Sequence, residues 1–375
     1  GHSPGSTLRA VLSGRTTADR LSGVPEGAGP TRIARGTASI PFSSFTHEDP
    51  SVPLAETAAS QALADAGRTR VDRTVVAASK GAVHALTTPK ETVPPRPSAI
   101  VPRIVTQTPH GYLASSLAAR MPSSVSLGTI SAPVAACATS LYGLHEAVRA
   151  LRAGRADAVL LVAVESSLTD PFVHCYRRLG VLAPCDPVES HRCRPLDEDR
   201  SGFTLCESSA AVVLERTDET GGHAAIYATA TGAEPHDVLR APSSYRTLER
   251  LVGVVMSGAP PVALVHPHAT GTADNDAREL ASVESALGSS ARGTPVYASK
   301  GAIGHAMGAS GLINVVLTCL MGRARRTPPM PWLDSPIETG FSIQKGGQPL
   351  VEGSHLVVSA GFGGHTAAVS LIPSG

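Results

Sequence analysis

A single cysteine, Cys137, directly precedes an amphipathic segment of the chain. Four apolar side chains recur there at helical spacing: Leu141, Leu144, Val148 and Leu151. This spacing predicts a helix that begins at the cysteine. Unpaired N–H groups and the helix dipole at such a position favour a thiolate over a thiol. We therefore predict a nucleophile at Cys137, with a small buried hydrophobic residue as the alternative.

Three further Gly-rich turns carry groups that would assist a thiol nucleophile. His268 lies in HATGT, Lys300 and His305 lie in SKGAIGH, and GFGG forms the turn at 361–364. An acyl-transfer site needs a base or cation beside the thiol and N–H donors at the developing oxyanion. Taken singly, these features have structural explanations: a satisfied histidine, a solvated lysine and a tight turn. The ordered set favours a catalytic site.

The elements expected to position these residues alternate between strand and helix. Ser124–Ile130 is predicted to be a strand that leads into the cysteine turn, and Ala158–Val164 is an apolar run typical of a strand buried on both faces. Val262–Val265, Pro295–Ala298 and Leu356–Ser359 are predicted strands, and each leads into one Gly-rich turn. Sites in α/β sheets assemble at such strand ends.

The alternation occurs twice along the chain, which predicts an internally duplicated α/β fold. The polar turn Thr217–Gly222 is the expected boundary. The first half, residues 1–216, would carry the cysteine, and the second half, residues 217–375, would carry both histidines.

Composition excludes several classes of function. The 32 Lys and Arg residues balance 31 Asp and Glu residues, so no basic excess indicates nucleic acid or an anionic membrane surface. No apolar run approaches the ~20 residues of a membrane span. Six irregularly spaced cysteines do not form a disulfide framework, which favours a reducing, cytoplasmic setting.

The segment Pro171–Asp199 is predicted to be irregular, and it contains residue types that bind zinc. These are Cys175, Cys185, Cys193, His174 and His191. Structural zinc sites usually have C-x-x-C spacing, which is missing here, so we predict no metal. The SKGAIGHAMGASG turn also lacks the phosphate-loop pattern G-x-x-x-x-G-K-[ST], which argues against a nucleotide.

Taken in order, the motifs resemble those of the β-ketoacyl synthases, the condensing enzymes of fatty acid and polyketide synthesis, which share the thiolase fold. The resemblance runs from about Leu54 to the C-terminus. AACATSL resembles the nucleophile elbow of the family, and CRPLDEDRSGF resembles R-P-F-D-x-x-R-x-G-F. HATGTADNDARE resembles H-G-T-G-T-x-x-x-D-x-x-E, SKGAIGHAMGASG resembles S-K-x-x-x-G-H-x-x-x-A-x-G, and SAGFGGHTA resembles S-F-G-F-G-G-x-N-A.

The resemblance implies a role for each site residue. Cys137 would hold the acyl group, with an oxyanion hole from its own amide and that of the GFGG loop. His268 and His305 would be the catalytic histidines, and Lys300 a further catalytic residue. The loop and supporting positions are Phe362, Gly363, Thr270, Thr272, Asp276, Glu279 and Glu207.

Four departures from the family pattern are visible. The opening V-V-V-T-G strand is expected to be missing, because the sequence begins after its place. G-E-G-A is replaced by CESS, which keeps Glu207 but loses both glycines. Ala269 replaces the first glycine of H-G-T-G-T, and Thr366 stands where the closing loop normally has Asn.

The implied protein has a thiolase-like duplicated αβαβα layered fold with two pseudo-equivalent halves. Its implied reaction is the decarboxylative Claisen condensation of a Cys137-bound acyl group with malonyl-acyl carrier protein, without metal or redox cofactor. The implied partners are acyl carrier protein and a second synthase subunit, either identical or of the chain-length-factor type. Two alternatives are a starter-selecting or acyl-transferring homologue that does not elongate and a non-catalytic dimer partner.

Acyl carrier proteins are typically acidic, so exposed arginines are candidates for docking. The alternative for each is ordinary solvated surface. The candidates are Arg177, Arg178, Arg323, Arg325 and Arg326.

Overall fold

The computed structural model describes residues 18–20, 32–35, 49–84, 110–184, 193–216, 222–235 and 237–374. The strands are β1 Ala18–Arg20, β2 Arg32–Arg35, β3 Arg73–Ala77, β4 Thr129–Ser131, β5 Ala158–Glu165, β6 Leu205–Glu215, β7 Ala224–Ala233, β8 Val262–His266, β9 Ser354–Ala360 and β10 His365–Pro373. The helices are α1 Ser51–Asp65, α2 His110–Arg120, α3 Thr139–Arg152, α4 Asp170–Arg178, α5 Arg246–Met256, α6 Asp276–Leu287, α7 Lys300–Ile303 and α8 Ser310–Ala324.

The strands form two sheets that repeat one pattern. The first sheet has the order β1-β2-β6-β5-β3-β4 and the second β7-β10-β9-β8. In the first, β3 pairs in parallel with β5, which pairs antiparallel with β6. In the second, β8 pairs in parallel with β9, which pairs antiparallel with β10. The duplication predicted from the sequence is therefore confirmed at the level of strand pairing.

Strand β5 shows how the layers are held together. All eight of its residues are buried. Alternate side chains point to opposite faces of a strand, so Leu161 belongs to the central core while Leu160 belongs to the outer core. The outer core contains α1 and α2, and the central core contains α3 and α8.

The central helices α3 and α8 pack closely against each other between the two sheets. Ser140 Oγ accepts a hydrogen bond of 3.0 Å from the Leu312 amide. A Cβ on Gly311 would lie 2.6 Å from Leu141 Cγ, so glycine is needed for this approach. With α5 and α6 on the far side of the second sheet, the order of layers is αβαβα, and the predicted fold class is confirmed.

One stretch, Met307–Ala324, is long and apolar enough to cross a membrane by length and composition. The prediction that no apolar run approaches the length of a membrane span was therefore wrong for this stretch. However, 67% of it is buried inside the protein, between the two sheets. It packs as the core helix of a soluble protein does.

Three predictions of local structure were wrong in whole or in part. Within Ser124–Ile130, only Thr129 and Ile130 lie in a strand; Ser124 ends a turn and Ser126 makes only an isolated bridge to Arg70. Pro295–Ala298 makes isolated bridges to Val265 and Ser342 and forms no strand. The segment predicted to be irregular contains α4, which begins Asp170-Pro171, an arrangement typical of a helix start.

Candidate active site

Cys137 lies in a tight elbow that contacts both halves of the protein. The elbow is a 3-10 turn, Ala136–Ala138, immediately before α3. Ala136 has a φ of +47°, in the left-handed region that L-residues seldom adopt. The Thr139 hydroxyl stabilises the turn, accepting from the Ala135 amide at 2.8 Å and donating to the Ala136 carbonyl at 2.6 Å.

The second half contains a matching elbow before α8. Met307–Ala309 is again a 3-10 turn, and Met307 again has a positive φ, +39°. Gly308 occupies the place that Cys137 has in the first elbow, and a Cβ there would lie 2.7 Å from the Ser79 amide nitrogen. The duplicated fold therefore has two elbows, with Cys137 in the first and Gly308 in the second.

Both imidazoles lie beside the thiol. The Cys137 sulfur and a ring nitrogen of each of His268 and His305 lie within 4.8 Å of one another, and all three residues are buried. The two rings meet edge to face, with centroids 5.2 Å apart. The fold thus places both histidines beside a cysteine that lies at least 131 residues earlier in the sequence, as the motifs predicted.

Two carboxylates of α6 hold the HATGT turn in place by accepting hydrogen bonds from its backbone amides. Glu279 accepts hydrogen bonds from the amides of His268 and Ala269, the latter at 2.8 Å. Asp276 accepts from the Gly271 amide at 3.0 Å. Burial raises the pKa of Glu279 to about 7 and raises that of Asp276 as well. These side chains position the histidine turn through its backbone amides.

The side chains of the two threonines in this turn form a hydrogen bond with each other. The hydroxyls of Thr270 and Thr272 are 2.9 Å apart, and Thr270 is buried. Ala269 has a φ of +36°, which explains why glycine suits this position in the family pattern.

Lys300 is fully enclosed at the start of α7. It is 2% exposed, and its Nζ donates to the carbonyl oxygen of His268. Burial lowers its pKa, and the Glu279 carboxylate opposes that change. Burial and the nearby Lys300 hold the pKa of both His268 and His305 well below the usual range, so both imidazoles are neutral.

His305 is held by residues from both halves of the protein. Its Nδ1 is 2.8 Å from Ser310 Oγ, and its amide donates to the Thr204 carbonyl at 2.7 Å. Its Nε2 is buried and has no hydrogen-bond partner within the described ranges. One imidazole edge is therefore available to a ligand.

The GFGG loop closes over the cysteine. The Phe362 amide donates to the Cys137 sulfur, and the Phe362 side chain packs in the same apolar cluster. A Cβ on Gly361 would lie 2.9 Å from the Cys137 nitrogen, so only glycine permits this approach. Gly363 is exposed and has a φ of +78°. Thr366, the departure from Asn, donates to the Gly232 carbonyl at 3.2 Å.

The prediction that the helix start favours a Cys137 thiolate was wrong for the resting protein. Helix α3 begins at Thr139, two residues later. Burial raises the pKa of the thiol to about 11, while Lys80 and Lys300 act in the opposite direction. A rise from 9.0 to about 11 corresponds to about 3 kcal/mol, whereas a helix terminus supplies about 1 kcal/mol. Burial therefore outweighs any stabilisation of the thiolate that the helix terminus supplies.

Glu207 contacts residues outside the cysteine–histidine cluster. Its carboxylate accepts from Ser166 Oγ at 2.8 Å and lies 3.6 Å from His84 Nε2. It thus links β6 to the residue that follows β5, and these are two inner strands of the first sheet.

Three residues near the thiol were not predicted from the sequence: Lys80, Glu165 and Tyr176. Lys80 follows β3 in the turn ASKG, a Gly-containing turn with polar residues at a strand end. The rule that singled out the other turns applies equally here, and it would have found this lysine.

The zinc candidates do not assemble in the described part of the chain. Cys175 is exposed, and Cys193 is buried with its sulfur 3.3 Å from the Lys300 carbonyl. Cys185 and His191 lie outside the described residues. Cys137, His268 and His305 are themselves a donor set that suits Zn²⁺, so the absence of a metal requirement stays a prediction.

Two family models cover most of the chain. The β-ketoacyl synthase N-terminal domain matches residues 22–220, and the β-ketoacyl synthase C-terminal domain matches residues 223–333. The chain therefore belongs to the β-ketoacyl synthase family.

Curated relatives come from polyketide and fatty acid synthesis. The putative polyketide β-ketoacyl synthase 1 of Streptomyces cyaneus is 28% identical over 248 residues, 63% of this chain and 58% of that protein. The 3-oxoacyl-[acyl-carrier-protein] synthase 2 of Mycobacterium tuberculosis strain H37Rv is 29% identical over 255 residues, 64% of this chain and 60% of that protein. The chain thus spans less than two-thirds of the length of these relatives.

Two solved structures share the fold over 99% of this chain. One is a ketosynthase of a type II polyketide synthase in complex with its acyl carrier protein and bound to the hexaketide, with a TM-score of 0.83, 20% identity and 95% of that chain covered. The other is the ishigamide ketosynthase/chain length factor, with a TM-score of 0.82, 21% identity and 95% of that chain covered. At these identities the likeness bears on the fold alone.

Proposed function

We propose that the protein is a β-ketoacyl-[acyl carrier protein] synthase of polyketide or fatty acid biosynthesis. The observation that carries the proposal is the buried triad of Cys137, His268 and His305, whose sulfur and ring nitrogens lie within 4.8 Å of one another. Nucleophile and proton-handling groups at this spacing suit acyl transfer followed by carbon–carbon bond formation.

In the first stage Cys137 accepts the acyl group. Its sulfur bonds to the thioester carbonyl carbon, the carrier sulfur–carbon bond breaks, and the carrier thiol leaves with the proton that Cys137 loses. The amides of Cys137 and Phe362 would donate to the developing oxyanion. Each preorganised donor of this kind contributes about 3 kcal/mol.

In the second stage malonyl-acyl carrier protein loses carbon dioxide. The electrons of the broken bond form an enolate, whose oxygen His268 and His305 would stabilise as hydrogen-bond donors. The enolate carbon then attacks the acyl carbonyl, and the Cys137 sulfur leaves. Neutral imidazoles suit this role, because burial and Lys300 keep the pKa of both low.

We also propose the partners, setting and domain division. Acyl carrier protein would deliver both substrates, and the synthase would pair with an identical or a chain-length-factor subunit in the cytoplasm. Arg178, Arg323 and Arg326 are exposed and suit an acidic carrier, and Arg325 bonds Glu352 at 3.2 Å. A division near 217 is supported by the two sheets, since strands up to Glu215 form the first and strands from Ala224 form the second.

Mass spectrometry of the protein after incubation with acyl-carrier proteins tests the proposal. We expect one acyl group, on the Cys137 peptide, and none in Cys137→Ala. We expect His305→Ala to acylate but to release carbon dioxide from malonyl-carrier protein at least about 100-fold more slowly.

Other outcomes would redirect the assignment. Acylation that survives Cys137→Ala would overturn the nucleophile. Acylation without carbon dioxide release or condensation would indicate the non-elongating homologue, and no acylation at all the non-catalytic partner. A chelator should leave all rates unchanged, and inhibition would contradict the metal-free mechanism.

A further inference from the structure

The turn after β3 carries a lysine into the interior beside the nucleophile. The Lys80 side chain is only 15% exposed. Its Nζ donates to Ser79 Oγ at 2.7 Å and to Glu165 Oε1 at 3.3 Å. The ammonium is therefore held in place by these two groups and acts on its other neighbours through its charge.

Glu165 fixes this lysine and the second elbow together. Its side chain is 1% exposed. Its Oε2 accepts from Ser79 Oγ at 2.6 Å, from the Ser79 amide at 3.2 Å and from the Gly308 amide at 3.2 Å. The carboxylate thus balances the ammonium and holds it at a fixed place relative to the two elbows.

Aromatic rings connect Lys80 with the thiol. Its Nζ lies 5.6 Å from the ring centre of Tyr176 and 5.8 Å from that of Phe172. Tyr176 stacks on Phe362, whose amide donates to the Cys137 sulfur. Cys137, Tyr176 and Phe362 share one apolar cluster, where a charge is weakly screened.

We propose that Lys80, held by Glu165, is a positioning residue that stabilises the Cys137 thiolate by its charge. The groups that act on the thiol are Lys80, Lys300, Glu165, Tyr176, His268 and His305. Lys80 is the largest influence that lowers the thiol pKa, ahead of Lys300, while burial and Glu165 raise it. The Glu165 carboxylate in turn raises the pKa of Lys80, which keeps the ammonium charged despite burial.

This inference rests on the proposed function only for the identity of the thioester substrate. The effect of Lys80 on the Cys137 thiol does not depend on which substrate the thiol attacks. In acyl transfer the stabilised thiolate would attack the thioester carbonyl, and the carrier thiol would leave with the proton that Cys137 has lost. The thiol chemistry is measurable without carrier protein or malonyl groups.

Alkylation by iodoacetamide, in which the thiolate sulfur displaces iodide, tests this role. The rate at the Cys137 peptide is followed by mass spectrometry between pH 7 and 9.5. We expect Lys80→Met to react about tenfold more slowly throughout this range, one decade for each unit by which the pKa rises. Lys80→Arg, which keeps the charge, should stay within about threefold of wild type, and Lys345→Met controls for the loss of an exposed lysine.

A purely structural role would have the opposite signature, since looser packing exposes the thiol and speeds alkylation. A Lys80→Met rate equal to or above that of wild type overturns the proposal. If Lys80→Met misfolds, the comparison is Lys80→Met/Glu165→Gln against Glu165→Gln, where we again expect slower alkylation with the lysine removed. Failure of condensation would appear only in the acylation and decarboxylation assays, so the two proposals fail separately.

Discussion

At the scale of single residues, burial and nearby positive charges have opposite effects on the pKa of the Cys137 thiol. Burial raises the pKa of Cys137 to about 11 despite two nearby ammonium groups. The resting Cys137 side chain is therefore a protonated thiol, and the proposed role as nucleophile requires activation by a close electrophile and by the surrounding cations.

Glu279→Gln tests how the histidine turn is positioned. The carboxylate accepts from two consecutive amides, and a glutamine side chain offers only one acceptor oxygen. We expect carbon dioxide release from malonyl-carrier protein to fall about tenfold to 100-fold, with Cys137 acylation largely kept, because a small displacement of His268 is sufficient.

Glu284→Gln on the same helix is the matched control. Its carboxylate accepts from Thr339 Oγ1 at 2.8 Å and the Gly340 amide at 3.1 Å, away from the site. A similar loss of stability in both variants, with activity lost only in Glu279→Gln, is the expected pattern. Equal activity in the two variants would contradict the positioning role.

The site residues could be foreseen from sequence because each lies in a short ordered motif. Their mutual distances could not, since these depend on strand order and on close approaches such as Gly361 against the Cys137 amide. Lys80 was missed because its turn belongs to none of the recognised motifs. The thiol pKa was misjudged because desolvation is a property of the folded interior.

At the scale of elements, the four-residue helix α7 depends on one aromatic contact. A Cβ on Gly301 would lie 2.2 Å from the Trp332 ring. Trp332 also donates through Nε1 to the Pro195 carbonyl at 3.1 Å, so it has little room to move. Lys300 is therefore placed by a glycine that lets this ring pack against its own helix.

Gly301→Ala is expected to lower the free energy of unfolding by about 1–3 kcal/mol, because overpacking displaces the ring or the helix. Trp332 is the single tryptophan of the chain, so its fluorescence reports the change directly. Gly253→Ala, in helix α5 with open space around it, should instead stabilise by about 1 kcal/mol through helix propensity. Unchanged fluorescence and stability in Gly301→Ala would refute the packing argument.

Elements with strong periodicity or apolar runs could be predicted, as α3 and β5 illustrate. Pro295–Ala298 was predicted to be a strand from its apolar residues, yet it forms only bridges. Helix α4 was missed because its polar composition concealed an Asp-Pro start. Local composition does not determine which short segments find a pairing partner.

At the scale of the whole molecule, buried neutral histidines link stability to pH. Burial lowers the pKa of His355 to about 4, and its Nδ1 has no hydrogen-bond partner within the described residues. The unfolded chain binds the proton below the ordinary pKa of 6.5, and the folded protein only near 4. Stability therefore falls as pH drops from 6.5 to 4, by about 3 kcal/mol for this group.

Urea unfolding at pH 7, 6 and 5 checks this linkage in wild type and His355→Gln. The variant should lose less stability than wild type between pH 7 and 5. His174→Gln, at an exposed position on α4, controls for the removal of an imidazole. Parallel pH curves for wild type and His355→Gln would disprove the contribution of this residue.

Main-chain hydrogen bonds between the two halves of the protein bear on whether halves can be exchanged with those of a relative. His305 pairs with Leu205 across the halves through main-chain atoms, with the Cys206 amide donating to the His305 carbonyl at 3.1 Å. Such pairing requires no particular side chains, so a chimaera joined at 217–221 with the second half of a relative would retain it. Side-chain contacts between the halves, such as the hydrogen bond from the Leu312 amide of α8 to Ser140 Oγ, would then limit which relatives can supply the second half. In such a chimaera the main-chain pairing would hold the residue equivalent to His305 at the same place relative to Cys137.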